Sequence, residues 1–589
     1  MSDLSTGRTA LRSCALGTLS AARVGDELTV AGWVHRRRNL GGLLFIDLRD
    51  RSGLLQVSLG PDWTEAADLE AAQKFGQEDV IEVQGTVVER PDPNPELATG
   101  EVELRGVRVR RLNAAATPAI PVYRAPEEEA PSEELRLRHR VLDLRRPELQ
   151  RNLALRHRLV LATRNYLDGL GFTEVETPIL TKPTPEGARD FLVPSRVHPG
   201  EFFALPQSPQ IYKQILMVAG FDRYFQIARC FRDEDMRADR QPEFTQIDLE
   251  ASFVSVEDIL TWMEGLMARL AEVGGVDAAP PFQRMTWDEA MERYGSDRPD
   301  LRWSLELHDW SAVLADLDFR VTAAALETGG RLRGLRLAGG AELSRKQIEA
   351  IEERAKAAGA PGLLWLKRAE DGASGPLSRF VDEAHLDALG LEPGDLALIA
   401  AGPDPVTSPA LDAVRMAAIA ALGLPMEREH AWLWVTDFPV FEDDGEGGLV
   451  SNHHPFVMPH PEFVDSLEDD PKGARGQAYD LVYNGTEFGS GSIRIHDPAL
   501  QRRVFSILGL EAEEIETKFG FLLSALGAGA PPHGGVAFGM DRIVQRFAGC
   551  SSLRDVIAFP KTTAARALFE GAPTPVRDED LKDLGLRLE

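Results

Sequence analysis

The rhythm of hydrophobic and polar positions changes several times along this chain of 589 residues. Between positions 28 and 112, apolar and polar side chains alternate in short runs: Leu28 to His35, Leu43 to Asp50, Leu54 to Leu59, Val80 to Val88 and Val102 to Leu112. A period of two marks half-buried strands, and Gly41-Gly42 and Ser52-Gly53 supply turns. Five such strands predict an OB-fold barrel. The stretch 113–147 carries prolines and an acidic run, and reads as a hinge leading into a helix. From Gln150 to Leu170 apolar residues recur at helical spacing, ending at Gly169 or Gly171. GFTEVETPIL then reads as a strand followed by Thr177-Pro178. QSPQIYKQILM, residues 207–217, is a polar turn that becomes a helix. Arg223 to Phe231 and Phe244 to Asp248 read as two strands of a hairpin with a charged tip. Between about 300 and 425 the texture shifts to Ala, Gly and Leu, with a helix at Ser344 to Gly359 and strands at Gly362 to Lys367 and Asp395 to Ala400. After it, AYDLVYNGTEFGSGSIRIH is a strand region, and PPHGGVAFGMDRIVQRFAG (531–549) is small residues leading to a helix that begins near Gly539 to Asp541.

Composition narrows the class. With 43% hydrophobic and 27% charged residues the chain is an ordinary globular one, too long for one core. Its apolar runs are too short and too broken by charge to span a bilayer. The opening MSDLSTGRTA lacks a signal pattern, and Cys14, Cys230 and Cys550 form no CxxC pair, so a reducing cytoplasm is expected. The net charge of -28 opposes a nucleic-acid partner. Yet a Debye length of about 8 Å hides distant acid, and two basic patches stand out, one at His35 to Arg38 and one at Arg105, Arg108, Arg110 and Arg111.

Candidate chemistry follows from residue type. Arg232 opens the hairpin's charged tip and can fork onto a phosphate. Asp480 and Glu487 are oxygen ligands suited to a Mg²⁺ that is shared with phosphates. His453 and His454 are adjacent, with no third ligand at metal spacing. In Ser492-Ile493-Arg494-Ile495 the arginine points away from its apolar neighbours and calls for an anion. Arg542 emerges at a helix start, where backbone amides favour phosphate. On the barrel, Phe45 can stack a base and Gln56 can both donate to and accept from a base edge.

These blocks, in this order, resemble the class II aminoacyl-tRNA synthetases. The helix–strand–Pro178 unit is similar to motif 1, FRDEDMRADRQPEFTQIDLE (231–250) to motif 2, and the block around Gly539 to motif 3. GWVHRRRNLGGLLFIDLRDRSGLLQVSL is similar to the anticodon-binding domain of class IIb members, with His35 and Asn39 where Asn and Asp are usual. Across roughly residues 20 to 565 the wording is that of the bacterial aspartyl group. The resemblance implies a multidomain α+β protein: an OB-fold anticodon-binding domain over 1–112, a hinge over 113–147, an antiparallel-sheet catalytic domain split into 148–300 and 426–565, an inserted α+β module over 301–425, and a C-terminal extension over 566–589. It implies a two-step reaction in which L-aspartate and ATP, with Mg²⁺, give aspartyl-adenylate, and the aspartyl group passes to tRNA(Asp). Catalytic roles fall to Arg232 and Arg542. Glu186, Ser208, Gln210, Lys213, Asp248, His453, His454 and Arg494 would bind aspartate. Arg232, Glu234, Gln241, Phe244, Glu487, Gly539, Met540, Asp541 and Arg542 would bind ATP; Asp480 and Glu487 the metal; and Arg38, Phe45 and Gln56 the anticodon. A cytoplasmic homodimer is expected. The alternative is a relaxed enzyme that also charges tRNA(Asn), with Leu40 leaning to the strict type. A lysine enzyme would need acids at Lys213 and Arg494. The inserted module and the QSPQxxKQ block disfavour an asparagine enzyme. A dead relative would be expected to lose Arg232, Glu487 or Arg542, and the barrel argues against a ligase without tRNA.

Overall fold

A computed structural model describes residues 7–123, 128–183 and 188–588. Contacts divide the chain into two compact units, one of residues 1–154 with 557–574 and one of 155–556 with 575–589.

The first unit is built on a closed barrel of β1 (Glu27–Leu40), β2 (Leu43–Asp50), β3 (Gly53–Leu59), β4 (Val80–Glu89) and β5 (Val102–Asn113), in the order β1-β2-β3-β5-β4. Alternation does what the sequence asks of it: Leu44, Ile46, Leu48, Leu55, Val57, Ile81 and Val83 fill the interior, while Arg38, Phe45 and Asp47 stay on the outside. The 557–574 segment packs into this unit, where buried Arg140 donates to the carbonyls of Ile557 and Ala558, each at 2.8 Å.

The helix α1 (Pro147–Gly169) leads to the second unit. Of the strand expected over GFTEVETPIL, only β6 (Thr173–Glu174) forms; Pro178 and the residues before it lie outside the ladder. Next come α2 (Gln210–Val218), β7 (Arg223–Phe231), β8 (Glu243–Ser252) and β9 (Gln283–Thr286). The inserted segment is a five-stranded sheet of β10 (His308–Asp309), β11 (Arg331–Leu337), β12 (Leu364–Ala369), β13 (Gly372–Ser374) and β14 (Leu396–Gly402), ordered β10-β11-β14-β12-β13. Helices α3 (Arg345–Ala357) and α4 (Asp404–Leu422) cover it through Ile348, Ile351, Leu411 and Val414.

The chain then returns to the larger sheet with β15 (Trp432–Thr436), β16 (Ala478–Tyr483), β17 (Thr486–Ile493) and β18 (His533–Gly539), followed by α5 (Met540–Phe547). The eight strands lie in the order β9-β15-β16-β17-β18-β8-β7-β6. Every pairing is antiparallel except the outermost, β9 with β15 and β6 with β7. No helix among the described residues is long and apolar enough to cross a membrane.

Candidate functional site

The larger sheet carries a cleft of 410 Å³ on one face. The alternation of β8 makes its floor: Phe244, Gln246 and Asp248 point into the cleft, with Glu250 next in the same series, while Ile247 and Leu249 are buried on the other face. Lys213 reaches in from α2, one turn past the Ser208 hydroxyl, which accepts from the Gln210 N–H at 3.3 Å. Its ammonium donates to Asp248 Oδ1 at 2.6 Å and lies 3.4 Å from Glu250 Oε2. A solvated helix face is thus not its fate; its side chain is 2% exposed.

Arg494 already has a carboxylate partner within the chain. Glu250 already grips it, accepting from Nε at 2.9 Å and from Nη2 at 3.1 Å. Its Nη1 donates to Ser492 Oγ and to His454 Nε2, both at 2.7 Å. A Cβ on Gly535, the β18 partner of Glu250, would overlap the Glu250 carboxylate, so glycine makes room for this pairing. Burial works against the Glu250 charge, but Arg494 and Lys213 overcome it and hold the carboxyl below its usual range. Burial wins at Asp248, whose pKa is raised despite Lys213, and its Oδ2 is buried with no hydrogen-bond partner. His454 is pushed well below 6.5 by burial and then by Arg494, so its ring stays neutral and can accept from that arginine.

At the other end of the cleft, Arg232 lies over the Phe244 ring, 5.1 Å from its centroid, with its Nε buried and without a partner. One face of Phe244 is therefore covered by a guanidinium. Glu234 accepts from Arg240 at 3.2 Å beside it, and Gln241 also lines the wall. Arg542 projects from the first turn of α5, donates to the Glu487 carbonyl, and stands 4.0 Å from Glu487 Oε1. Gly539 and Asp541 line the cleft as well. The Asp541 carboxylate accepts from the Thr245 N–H at 2.8 Å and from Arg156, so it clamps the start of α5 to β8. Met540 is wholly buried, leaving only its backbone for a ligand.

The two histidines of the loop after β15 part company. His453 Nε2 pairs with Asp480 at 2.9 Å, on the adjoining strand β16, whereas His454 goes to Arg494. Burial disfavours charge on His453, yet Asp480 and Glu487 keep its pKa above the ordinary value. Glu487 is raised by burial and then by Asp480. Among the described residues no three His, Cys, Asp or Glu side chains gather as a metal cage. Two mutually repelling carboxylates do fit Mg²⁺, which keeps waters and takes its remaining ligands from phosphates. Glu186 lies outside the described residues.

The barrel gathers its expected trio, already engaged. Arg38 pairs with Phe45 across the β1–β2 ladder and donates to Asp47 at 2.8 Å. Gln56 donates to Glu103 at 2.6 Å and accepts from Arg38 at 3.4 Å. The unusual His35 and Asn39 are structural: His35 meets Arg49 Nη1 at 3.1 Å, and Asn39 Oδ1 accepts the Gly42 N–H of the hairpin turn at 3.3 Å. The second basic patch is largely neutralised, since Arg108, Arg110 and Arg111 pair with Asp68, Glu82 and Asp79.

Sequence reasoning passed over Glu250 and Gln246. Their signal was present, for the alternation that exposes Phe244 and Asp248 also carries both.

A barrel of OB type and an antiparallel sheet with this polar cleft together define a class. Residues 132–563 match the class II tRNA synthetases (D, K and N), and residues 28–105 match the OB-fold nucleic acid binding domain. The chain belongs to this family of class II tRNA synthetases. It is 49% identical over 579 residues to a protein of Geobacillus sp. (strain WCH70) named aspartate–tRNA(Asp/Asn) ligase, covering 97% of each chain. It is 48% identical over 578 residues to the aspartate–tRNA ligase of Exiguobacterium sibiricum, covering 97% of this chain and 98% of that one. In fold it is similar to asparaginyl-tRNA synthetase from Pyrococcus horikoshii complexed with asparaginyl-adenylate, with TM-score 0.59 and 19% identity over 94% of this chain and 98% of that one. The aspartyl-tRNA synthetase of Entamoeba histolytica gives 0.58 and 17% over 94% and 92%.

Proposed function

We propose that this protein activates L-aspartate with ATP and transfers it to the 3′ end of tRNA(Asp). The observation that carries the reading is the buried quartet of Lys213, Asp248, Glu250 and Arg494 on the cleft floor. It presents two cations at a depth where a small carboxylate can be held out of water.

An α-carboxylate oxygen of aspartate attacks the α-phosphorus of ATP; the bond to the bridging oxygen breaks, and pyrophosphate leaves. The terminal ribose hydroxyl of the tRNA then attacks the adenylate's carbonyl carbon and AMP departs. No protein nucleophile is needed, and the protein contributes position and charge. Arg232 is placed to meet the α-phosphate, with Phe244 beneath the adenine, and Arg542 to meet the γ-phosphate. Asp480 and Glu487 would hold Mg²⁺, which supplies charge neutralisation at the phosphates. The substrate's side-chain carboxylate would take the place of the neutral His454 ring at Arg494 Nη1, next to Lys213. The orphaned Asp248 Oδ2 would receive the substrate ammonium. Asparagine is nearly isosteric but neutral, and cannot give Arg494 Nη1 and Lys213 the charged partner that the aspartate carboxylate would add; sites built on polar pairing reject the wrong analogue by about 10⁴-fold or more.

Arg38, Phe45 and Gln56 would read the anticodon by exchanging Asp47 and Glu103 for base edges. A cytoplasmic homodimer fits the exposed apolar Leu161, Ile179 and Leu180 around α1 and Pro178. The name of the Geobacillus relative favours keeping the relaxed reading, with tRNA(Asn) also charged.

Aminoacylation with radiolabelled aspartate, ATP and Mg²⁺ on separate tRNA(Asp) and tRNA(Asn) transcripts tests the reading. Charging of tRNA(Asp) alone makes the enzyme strict, and charging of both makes it relaxed. Charging of neither by a folded protein overturns the proposal.

A further inference from the structure

The hairpin joining β16 to β17 turns at Asn484-Gly485, both with positive φ (48° and 72°), as two-residue hairpins require. Two residues of this hairpin each accept from an arginine, and a third packs against the acid that holds another. At Gly485 a Cβ would come 3.0 Å from the Asp300 Cβ, so Asp300 lies directly against the turn. Asp300 in turn holds Arg302 in a fork, at 3.0 Å from Nε and 2.7 Å from Nη2. The Thr486 hydroxyl accepts from Arg546, and the Glu487 carbonyl accepts from Arg542. Arg542 and Arg546 are one turn apart on α5 and share a face.

The charges of this trio are unequally answered. Arg302 has Asp300, and Arg542 faces Glu487. Arg546 pairs with no carboxylate among the described residues and rests on a neutral hydroxyl. Its pKa is pushed down by desolvation and then by the charges of Arg302 and Arg542, which a bound anion would relieve. The inserted module fixes the arrangement. Buried Arg415 of α4 donates to the carbonyls of Asp300, Trp303 and Leu305 at 2.8, 2.7 and 2.6 Å, clamping the segment that bears Arg302.

We propose that Arg546 and Arg302 form a phosphate-binding extension of the nucleotide cleft beyond Arg542, which takes up the pyrophosphate as it leaves. The inference rests on the adenylate-forming reaction proposed above. Arg542 lines the cleft, and Arg546, four residues further along α5 and outside that lining, is within electrostatic reach of both Arg542 and Arg302, so it is placed to receive a polyanion handed on from Arg542. The same phosphate chemistry could serve a tRNA phosphodiester, and the two sources are separable by experiment.

Aspartate-dependent ATP–pyrophosphate exchange by the full chain, without tRNA, is measured for the wild type, Arg546→Gln and Arg546→Lys. Absence of exchange in the wild type would fault the proposed reaction rather than this subsite. Given exchange, Arg546→Gln is expected to raise the KM for pyrophosphate about fivefold, with little change in the KM for aspartate, and Arg546→Lys is expected to recover most of the loss. The effect should shrink as salt is raised, as an accessible charge contact demands. An unchanged KM for pyrophosphate overturns the proposal. So does a defect confined to the KM for tRNA in aminoacylation, which would give the extension to a phosphodiester instead.

Discussion

The barrel and the larger sheet both set basic residues against carboxylates, but they place them in opposite media. On the barrel the side chains of Arg108, Arg110 and Arg111 remain 57%, 63% and 43% exposed while paired, although their acids Asp68, Glu82 and Asp79 are 20%, 8% and 2% exposed. On the sheet, Lys213 and Arg494 are 2% and 1% exposed, and Asp248 and Glu250 are fully buried. Pairs whose cation stays in water contribute little to stability, and the proposed RNA contacts would draw on such arginines. Buried pairs are costly to assemble and more costly to break, which would suit the proposed pocket, whose charges are fixed before a small anion arrives.

The sharpest way to break the comparison is at Arg494. Arg494→Leu leaves Glu250 buried and without its main partner, and such a loss costs about 3–5 kcal/mol. Denaturant unfolding should show it, together with a large rise in the aspartate requirement. Replacing both partners, Arg494→Leu with Glu250→Leu, should restore much of the stability, since a buried ion pair is often replaceable by apolar residues, but not aspartate activation. Recovery of activity by the double variant would remove Arg494 from the pocket we describe.

Much of this architecture was legible because it rests on periodicity. The barrel strands were read closely, since their interior alternates strictly, and the hairpin of β7 and β8 likewise. Three things were less visible. The helix–strand–Pro178 unit promised a longer strand than β6, because the local pattern does not say where a neighbouring edge stops. Glu250 as the in-chain partner of Arg494 was not visible, because it is 244 positions away in sequence and meets it only through the pairing of β8 with β18 and β17. The second basic patch looked free, because acids on α-helical and strand neighbours cannot be paired with it from sequence spacing alone.

Gly535 gives the second test on the buried side. A methyl there meets both the Glu250 carboxylate and the Leu249 carbonyl, and the carbonyl belongs to the ladder and cannot swing away. Gly535→Ala is expected to cost about 1–3 kcal/mol, the usual effect of overpacking, and to weaken aspartate binding while ATP binding persists. Equal stability in the variant would show that the quartet has slack.

A half-buried acid in the inserted module sharpens the contrast, because it lies between the two extremes. Burial raises Asp412 to about 6, against the pull of Arg415 and Arg298. The folded state then holds the proton more tightly than the unfolded one, so this group's contribution is fully present below the ordinary carboxyl range and is lost as pH rises through about 6. Asp412→Asn should therefore raise the melting temperature at pH values above this window, by a few degrees or roughly 1 kcal/mol after allowing for partial exposure. The gain should fade toward about pH 4, the unfolded carboxyl's own range. A gain that is constant across pH would mean the carboxyl is not desolvated there.

The smallest effect belongs to the barrel surface. In Arg108→Ala, Asp68 loses a guanidinium at 2.9 Å but keeps the Val109 N–H at 3.0 Å, so no buried acceptor is orphaned. Its melting temperature should move by about a degree or less, as for exposed pairs generally. If the patch nevertheless serves RNA, the same variant should weaken tRNA binding at low salt and lose that difference as salt is raised, because each phosphate contact adds to the salt slope. A drop of several degrees would erase the distinction between the two regions, since the barrel's charges would then be structural in the way the sheet's are.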